Sequence, residues 1–226
     1  MLSRTTALLG KESMTLLQSK RVILFGIGGV GSWCAECLIR TGLTHLTIVD
    51  GDTVQPSNLN RQLPATQATL GLPKVEALKQ RLLQINPEAD IIAIPEMING
   101  EWLMAHGLEG YDYVIDAIDD VQAKTDLILY ATRARVKIFS SMGAALRFDP
   151  TAVTTGELMS IKGDALAKAV RARMKKLDLR PYKKVRCVYS TEQAQRCDTR
   201  GSLMQVTAVF GCTLASMLID DIRKLG

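Results

Sequence analysis

A glycine-rich loop between an apolar run and an amphipathic segment is the feature that most constrains how this chain can fold. The run 21–25 predicts a buried strand, and the loop Gly26-Ile-Gly-Gly-Val-Gly31 follows it directly. A strand, a glycine loop and a helix in this order begin a Rossmann-like unit, which places backbone amides against a phosphate. The helix is predicted from about 30 to 41, with an apolar stripe of Val30, Trp33, Cys34, Cys37, Leu38 and Thr41.

Each glycine of the loop has its own predicted task. Gly26 allows the chain to leave the strand tightly, while Gly28 and Gly29 let the backbone approach a phosphate. Gly31 lets the helix pack closely. Asp50, 24 residues after Gly26, follows the second predicted strand and is placed to accept hydrogen bonds from ribose hydroxyls. These features predict nucleotide binding, which a dinucleotide satisfies as well as a mononucleotide.

Strands and helices alternate through the first two thirds of the chain, which favours an α/β, doubly wound, mostly parallel sheet. After residue 150 the pattern changes to a short strand near Val153, a basic helix, a strand at 185–189 and a closing helix at 203–225. We therefore predict a single domain of 226 residues. It comprises a nucleotide-binding core at 1–150 and, at 151–226, a basic substrate-binding, antiparallel extension with the closing helix. The other predicted strands are 46–49, 91–94, 113–118 and 136–140, and the other predicted helices are 75–85 and 121–135.

The cysteine count and the first residues indicate a reducing compartment. Five cysteines is an odd number, and Arg4, Lys11 and Glu12 interrupt any apolar run of signal-peptide length. The uncharged run 203–219 approaches the length of a membrane span, but polar residues dilute it, which favours a buried core or subunit-interface helix. The expected location is the cytoplasm, with no membrane association.

Positive charge is concentrated in one stretch of the second half. The net charge is +5, yet residues 162–186 hold ten Lys or Arg against two Asp, and the rest of the chain has eighteen basic against twenty-one acidic residues. Such a patch indicates a phosphate-rich partner, and a solvated amphipathic helix is the alternative. The candidate contacts to a nucleic acid are Lys162, Lys168, Arg171, Arg173, Lys175, Lys176, Lys183, Lys184 and Arg186.

Polar residues beyond the glycine loop favour ATP over a dinucleotide. Attack on the α-phosphorus of a triphosphate builds negative charge, which fixed cations must match. Arg61, which Ser57 and Asn58 precede in the same loop, and Lys74 are the candidate cations. Asp119 follows a predicted strand, where an open α/β sheet binds its ligands, and is the candidate to hold Mg²⁺ over the phosphates. Alternatively, the two cations are surface charges and Asp119 caps a helix.

Together these motifs resemble the ubiquitin-activating-enzyme-like superfamily (the ThiF, MoeB and HesA group), which includes the sulfur-carrier adenylyltransferases of thiamine and molybdopterin synthesis. The resemblance rests on the glycine loop, Asp50, SNLNRQ at 57–62, GLPK ending at Lys74 and DAIDD at 116–120. It implies a homodimer in which Arg4 of one subunit touches the ATP of the other. It also implies ATP and Mg²⁺ as cofactors, and as site residues Ser57, Asn58, Arg61, Lys74 and Asp119.

The second half resembles one branch of that superfamily, the tRNA threonylcarbamoyladenosine dehydratases. The similarity extends over nearly the whole chain and includes Phe148-Asp-Pro150, the stretch 162–171, Cys187-Val-Tyr-Ser-Thr-Glu192 and Gly201-Ser202. It implies adenylation of the threonyl carboxylate of a modified adenosine beside the tRNA anticodon, after which the adjacent carbamoyl group closes a ring and AMP leaves. The basic segment would then follow the phosphates of the anticodon arm. The same resemblance suggests a monovalent cation in the loop before the last helix.

The cysteines predict no zinc site and one candidate nucleophile. The single CxxC, Cys34-Ala-Glu-Cys37, falls on the apolar stripe of the helix after the glycine loop and has no second pair, so we assign both sulfurs to core packing. Cys197 lies beside Arg196 and Arg200, whose charges favour a thiolate, and Cys187 on a strand is the other choice. Because ring closure by a neighbouring group needs no enzyme thiolate, a structural or substrate-lining role for Cys197 is the alternative.

Other functions stay open at this point. A sulfur-carrier adenylyltransferase would act on a protein tail that ends in Gly-Gly, and the basic segment and the missing zinc motif favour tRNA over that tail. A dinucleotide-dependent oxidoreductase, or a scaffold that binds ATP without turnover, would use the same glycine loop. Arg61, Lys74 and Asp119 favour ATP over a dinucleotide. The identity of any sulfur-transfer or redox partner protein is also open.

Overall fold

Within residues 2–197, 199 and 201–225, which the computed structural model describes, seven strands form one sheet. The strands are β1 (Arg21–Phe25), β2 (His45–Val49), β3 (Asp90–Ile94), β4 (Tyr113–Asp116), β5 (Lys137–Ser141), β6 (Val153–Glu157) and β7 (Arg186–Ser190). Their order across the sheet is β3-β2-β1-β4-β5-β7-β6, and all neighbours are parallel except β6 and β7. The prediction of a doubly wound, mostly parallel sheet with a C-terminal antiparallel extension is confirmed.

Eight α-helices surround the sheet in the described part of the chain. They are α1 (Ser3–Leu9), α2 (Lys11–Ser19), α3 (Gly31–Thr41), α4 (Lys74–Ile85), α5 (Gly100–His106), α6 (Val121–Arg133), α7 (Ala165–Lys176) and α8 (Met204–Arg223). Short 3₁₀ turns lie at Pro56–Asn58, Gln67–Thr69 and Pro150–Ala152. The sequence did not predict α1, α2 and α5, which are seven to nine residues long and too short to show a clear helical period.

Alternate residues of β1 point to opposite faces of the sheet. Val22 and Leu24 belong to a core that includes α2, α3, α4 and α8, whereas Ile23 and Phe25 belong to a core that includes α5, α6 and α7. All four side chains are almost wholly buried. A central parallel strand covered on both faces has a continuous apolar sequence, which is why β1 could be predicted from its residues alone.

Helix α3 buries a different set of residues from the predicted stripe. Cys34 and Leu38 are buried as predicted, but Cys37 is half-buried and Ile39 is buried instead. The helix packs against the sheet on one side and against α8 on another, so its buried sector faces two partners. The prediction of core packing is therefore confirmed for Cys34, whereas Cys37 is only half-buried and packs against the core from its edge.

Helix α8 lies against α3 with almost no space between the two backbones. A Cβ on Gly211 would lie 2.4 Å from the carbonyl oxygen of Val30 and 2.9 Å from the backbone nitrogen of Cys34. By length and composition alone, α8 could cross a membrane, but half of that stretch is buried inside the protein. This burial agrees with the prediction of a core or interface helix.

Candidate active site

A cavity of about 510 Å³ opens at the carboxyl edge of the sheet, beside β1 and β4, where the strand order reverses. An open α/β sheet binds its ligands at this point because the connections on either side of the reversal diverge and leave a crevice. The glycine loop and the loops after β2 and β4 form one wall. Residues 142–147, after β5, and 164–166, at the start of α7, form a second wall that was not predicted from the sequence.

Backbone contacts at the glycine loop set the position of α3 relative to β1. Gly26 has a φ of +88°, and a Cβ there would lie 2.7 Å from the carbonyl oxygen of Ala117. A Cβ on Gly31 would lie 1.8 Å from the carbonyl oxygen of Gly26. Gly28 and Gly29 line the cavity itself. Two glycines therefore hold the loop in place, and the other two leave room for a ligand.

Asp50 fastens the glycine loop to the loop after β2. Its Oδ2 accepts the N–H of Ile27 at 2.6 Å, and its Oδ1 accepts the N–H of Asp52 at 2.9 Å. Burial raises the pKa of Asp50, and the charge of Lys74 offsets part of this rise. This structural role was not predicted from the sequence. Each oxygen keeps a second lone pair, so the predicted contact to a ribose stays a prediction.

The two candidate cations lie on the wall formed by the glycine loop. Lys74 is 6% exposed, and its Nζ donates to Oδ2 of Asp52 at 2.6 Å. Arg61 donates from Nη1 to the carbonyl oxygen of Ser57 at 2.9 Å and to Oδ1 of Asn60 at 2.8 Å. Both side chains line the cavity. The alternative that they are surface charges is wrong for Lys74, because a buried ammonium with a fixed partner is not solvated.

The two polar residues that precede Arg61 take different places. Asn58 is buried and lines the cavity, while its Oδ1 accepts the N–H of Gln55 at 3.0 Å. Ser57 is exposed and, among the residues described, is not part of the cavity wall. Its carbonyl oxygen instead accepts the hydrogen bond from Arg61. The structure thus brings Asn58 to the site and gives Ser57 an indirect role.

Asp119 lies on the cavity wall just after β4 and is exposed. Its neighbour Asp120 caps α6, because Oδ1 of Asp120 accepts the N–H of Ala123 at 2.7 Å. The alternative that Asp119 is the helix cap is therefore wrong. Asp119 lines the same cavity as Arg61 and Lys74.

A buried ion pair supports the loop that carries Asp119. Nζ of Lys124 donates to Oδ2 of Asp116 at 2.7 Å and to the carbonyl oxygen of Ser141 at 2.9 Å. The other oxygen of Asp116 accepts the N–H of Ile118 at 3.1 Å, within that loop. Both charged side chains are 0% exposed. The pair was not predicted, although a lysine on the apolar face of α6 was the signal for it.

A second buried pair joins the other wall to the basic helix. Nη2 of Arg147 donates to Oδ2 of Asp164 at 2.9 Å, and its Nε donates to the carbonyl oxygen of Gly143 at 2.9 Å. Asp164 is also the N-cap of α7, since its Oδ1 accepts the N–H of Ala167 at 2.9 Å. Nη1 of Arg147 donates to the carbonyl oxygen of Glu192, after β7. One guanidinium therefore joins three separate segments of the chain.

The predicted nucleic-acid contacts divide into two groups. Arg171 donates to the carbonyl oxygen of Leu158 at 2.8 Å, Arg173 lies 3.8 Å from Asp126, and both arginines are half-buried. Helix α7 starts at the cavity and continues for twelve residues, roughly 18 Å, beside α6. The remaining contacts are exposed, and we call them the basic surface: Lys162, Lys168, Lys175, Lys176, Lys183, Lys184 and Arg186.

Three other candidates lie away from the cavity wall. Arg4 is exposed on α1, and Cys187 is buried in β7, where burial raises its pKa to about 12. Cys197 is exposed, and the described wall includes Ala194 from that segment but not Cys197. Arg200, its predicted neighbour, lies outside the described residues.

In the part of the chain that the structure describes, no group of three or more His, Cys, Asp or Glu is arranged to hold a metal ion.

Comparison with known proteins identifies the family. The sequence matches the ThiF family over residues 2–224. The chain belongs to the ThiF family. The tRNA threonylcarbamoyladenosine dehydratase of Haemophilus influenzae is 34% identical to it over 233 residues, which cover 94% of this chain and 89% of that protein. The molybdopterin-synthase adenylyltransferase of Escherichia coli is 36% identical over 138 residues, which cover 61% of this chain and 54% of that protein.

A solved structure matches this ThiF-family chain over nearly its whole length. The crystal structure of Escherichia coli tRNA N6-threonylcarbamoyladenosine dehydratase in complex with AMP has a TM-score of 0.93 at 34% identity, and covers 99% of this chain and 94% of that chain. The structure of the same enzyme in complex with ATP has a TM-score of 0.91. The resemblance inferred from the motifs is confirmed, and the dehydratases match more of the chain than the adenylyltransferase does.

The buried pair between Lys124 and Asp116 generates a stability prediction. Lys124→Met should lower the free energy of unfolding by about 3–5 kcal/mol, because it leaves the carboxylate of Asp116 buried without its partner. Adding Asp116→Asn should restore part of that loss, since the remaining group is then neutral. Urea denaturation at pH 7 measures both values. A double variant no more stable than Lys124→Met would show that the unpaired charge is not the cause.

Proposed function

We propose that this protein is an ATP-dependent tRNA threonylcarbamoyladenosine dehydratase. The threonyl carboxylate of the modified adenosine attacks the α-phosphorus of ATP, and pyrophosphate leaves. The adjacent carbamoyl group then attacks the activated carbonyl carbon, closes a ring and releases AMP. ThiF-family relatives with this name cover most of the chain, and solved structures of one of them contain AMP or ATP, which supports the proposal.

The observation that carries the proposal is a single cavity with two unlike walls. One wall has the glycine loop, Arg61 and Lys74, which suit a triphosphate. The other wall includes Met142, Leu146 and Leu166, whose apolar side chains suit the flat face of a nucleoside. A substrate bound between the walls would present its carboxylate to the phosphates. The basic surface begins beside the second wall, where a polynucleotide would enter.

Each residue of the first wall has a proposed task. The amides of Gly28 and Gly29 and the N-terminus of α3 bind the phosphates, because the helix dipole favours an anion there. Arg61 and Lys74 stabilise the negative charge that develops during attack at the α-phosphorus. The hydrogen bond from Lys74 to Asp52 holds the ammonium in position before the reaction. Asp50 accepts hydrogen bonds from the ribose.

Mg²⁺ is the proposed metal cofactor, with Asp119 as its protein ligand. An exposed carboxylate on the wall that holds both cations fits Mg²⁺, which takes one or two carboxylates together with phosphate oxygens. Bound Mg²⁺ would neutralise part of the phosphate charge. A monovalent cation in the segment before α8 belongs to the proposal as well, and we expect no zinc.

A cytoplasmic homodimer is the proposed active form. Arg4 is exposed on α1, and in the described part of the chain it does not line its own cavity. A contact between Arg4 and bound ATP would therefore come from a second subunit.

The five cysteines are free thiols, which supports a reducing location.

The basic surface is the proposed contact for the anticodon arm of tRNA. Lys168, Lys175 and Lys176 lie along α7, which extends roughly 18 Å from the cavity, so they can bind several phosphates without reading a base. Arg171 and Arg173 contact Leu158 and Asp126 and thereby hold α7 in place, so their proposed contribution to tRNA binding is less direct.

The deciding experiment gives the purified protein ATP, Mg²⁺ and one of two acceptors. We expect pyrophosphate and AMP with tRNA that bears threonylcarbamoyladenosine, and neither product with a sulfur-carrier protein that ends in Gly-Gly. The same tRNA without the threonylcarbamoyl group is the matched control, because it keeps every phosphate and lacks the carboxylate. An Arg61→Ala protein should form AMP roughly 100-fold more slowly.

Pyrophosphate released only with the carrier protein, whose adenylated tail keeps its AMP until a sulfur donor attacks, would overturn the proposal. It would support the adenylyltransferase alternative, which the 36% identity over 61% of the chain favours. Reduction of a nicotinamide dinucleotide in place of AMP release would support an oxidoreductase. Binding of ATP with no turnover of either acceptor would support a scaffold.

Mixed dimers test whether Arg4 acts across the subunit boundary. Arg4→Ala and Lys74→Ala proteins should each be inactive alone. A random mixture should recover roughly one quarter of the wild-type rate, because half of the dimers then contain one intact site of two. The readout is AMP release after co-refolding or co-expression. Mixed dimers that form, as native mass spectrometry would reveal, yet stay inactive would contradict a role in trans.

Salt dependence tests the basic surface. The triple variant Lys168→Ala, Lys175→Ala and Lys176→Ala should bind tRNA more weakly and lower the slope of log K against log salt by about 2–3, since each phosphate contact contributes a little less than one. Lys11→Ala, an exposed lysine on α2, is the matched control and should leave the slope unchanged. Equal slopes for the triple variant and the wild type would exclude phosphate binding by this surface.

A further inference from the structure

Two thiols meet where α3 and α8 cross. Sγ of Cys37 lies 3.4 Å from Sγ of Cys212, although the two residues are 175 positions apart in the chain. The close approach of Gly211 to the carbonyl oxygen of Val30 fixes the crossing. Cys212 directly follows that glycine, and Cys37 lies one helical turn beyond Cys34, whose backbone nitrogen Gly211 also approaches. The tight contact between the backbones therefore keeps the two sulfurs together.

The two cysteines differ in a way that suits sequential oxidation. Cys212 is exposed, and Cys37 is half-buried. The thiol of Cys37 donates a hydrogen bond to the sulfur of Cys212, which lowers the pKa of Cys212 to about 7 and raises the pKa of Cys37. A thiolate is the nucleophile toward peroxides. The exposed thiol is therefore the one that reacts first, with a second thiol already in contact with it.

We propose that Cys37 and Cys212 form a reversible disulfide within one chain, which links α3 to α8 when the protein meets a peroxide. The Cys212 thiolate attacks the O–O bond of hydrogen peroxide, forms a sulfenic acid and releases hydroxide, which is protonated to water. The Cys37 sulfur then attacks the sulfenic sulfur, the S–S bond forms and a second water leaves. Two thiols and one peroxide thus give one disulfide and two waters, and a dithiol reverses the reaction by exchange.

Bond formation requires only a short movement of the two sulfurs. They must approach from 3.4 Å to the length of about 2.05 Å that a disulfide requires. Cys34 is the third thiol near this crossing, but it is wholly buried, and burial raises its pKa, so it stays protonated. The reaction is therefore assigned to the Cys37 and Cys212 pair.

The link has two consequences for the protein. Condensation with Cys37 stops the oxidation of Cys212 at a reversible state, before sulfinic acid forms. It also fixes the first turns of α8 against α3. Thr207, five residues before Cys212, lines the cavity, and a Cβ on Gly29 would lie 3.2 Å from its side chain. The disulfide therefore holds a part of the cavity wall next to the glycine loop.

Thiol titration of the whole protein tests the proposal. Treatment with one equivalent of hydrogen peroxide should lower the number of free thiols from five to three, and dithiothreitol should restore five. Non-reducing electrophoresis should show a single chain. Trypsin should release peptides 22–40 and 201–223 linked to each other, and reduction should separate them.

Three variants identify the pair. With excess peroxide, Cys37→Ser should oxidise at Cys212 as far as sulfinic acid, which dithiothreitol does not reverse, and Cys212→Ser, at an exposed position, should form no disulfide. Cys197→Ser is the matched control, because it removes another exposed thiol and should still form the disulfide. The proposal would be overturned if all five thiols stayed free after peroxide treatment, or if the new bond joined two chains. It would also be overturned by a disulfide that persists in Cys37→Ser or is lost in Cys197→Ser.

Discussion

The close backbone packing around Gly26 and Gly31 is the constraint on which the rest of the site depends. No side chain separates β1, the first turn of α3 and the loop after β4, because any Cβ at either glycine would overlap a carbonyl oxygen. The same packing places the amides of Gly28 and Gly29 at the cavity and keeps the loop that carries Asp119 beside them. Phosphate binding at such a site comes from oriented backbone dipoles, so it depends on this packing more than on any one side chain.

Buried charges then hold the loops that line the cavity. Removing a lysine or arginine from water is unfavourable unless its partner and its hydrogen bonds compensate, so a buried pair adds little net stability. Lys124 with Asp116 and Arg147 with Asp164 both meet these conditions, and each pair lies next to a loop of the cavity wall. Their effect is to fix the loops before a ligand arrives. A preorganised site stabilises developing charge without first having to reorganise.

The elements that could be predicted from the sequence are those whose buried residues recur at a regular spacing. The strands and the longer helices have a regular period, and Arg61 and Lys74 follow recognisable loop motifs, so these parts were predicted. Arg147 and Asp164 were not, because the wall they build joins segments after β5, before α7 and after β7, and only the strand order brings these together. The sequence did not predict that Ile39 is buried and Cys37 only half-buried, because a helical stripe indicates burial toward one partner, whereas α3 has two.

Asp164 connects the two halves of the chain physically. It caps α7 through the N–H of Ala167 and pairs with Arg147, so the helix that carries three lysines of the basic surface begins at the cavity wall. Attraction between lysines and phosphates acts equally along a polynucleotide, and by itself it cannot place one nucleoside in the cavity. Under the proposed function, that placement must come from a rigid connection between the basic surface and the wall at 142–147. The buried pair provides this connection, and it converts an attraction without sequence preference into a defined position beside the phosphate site.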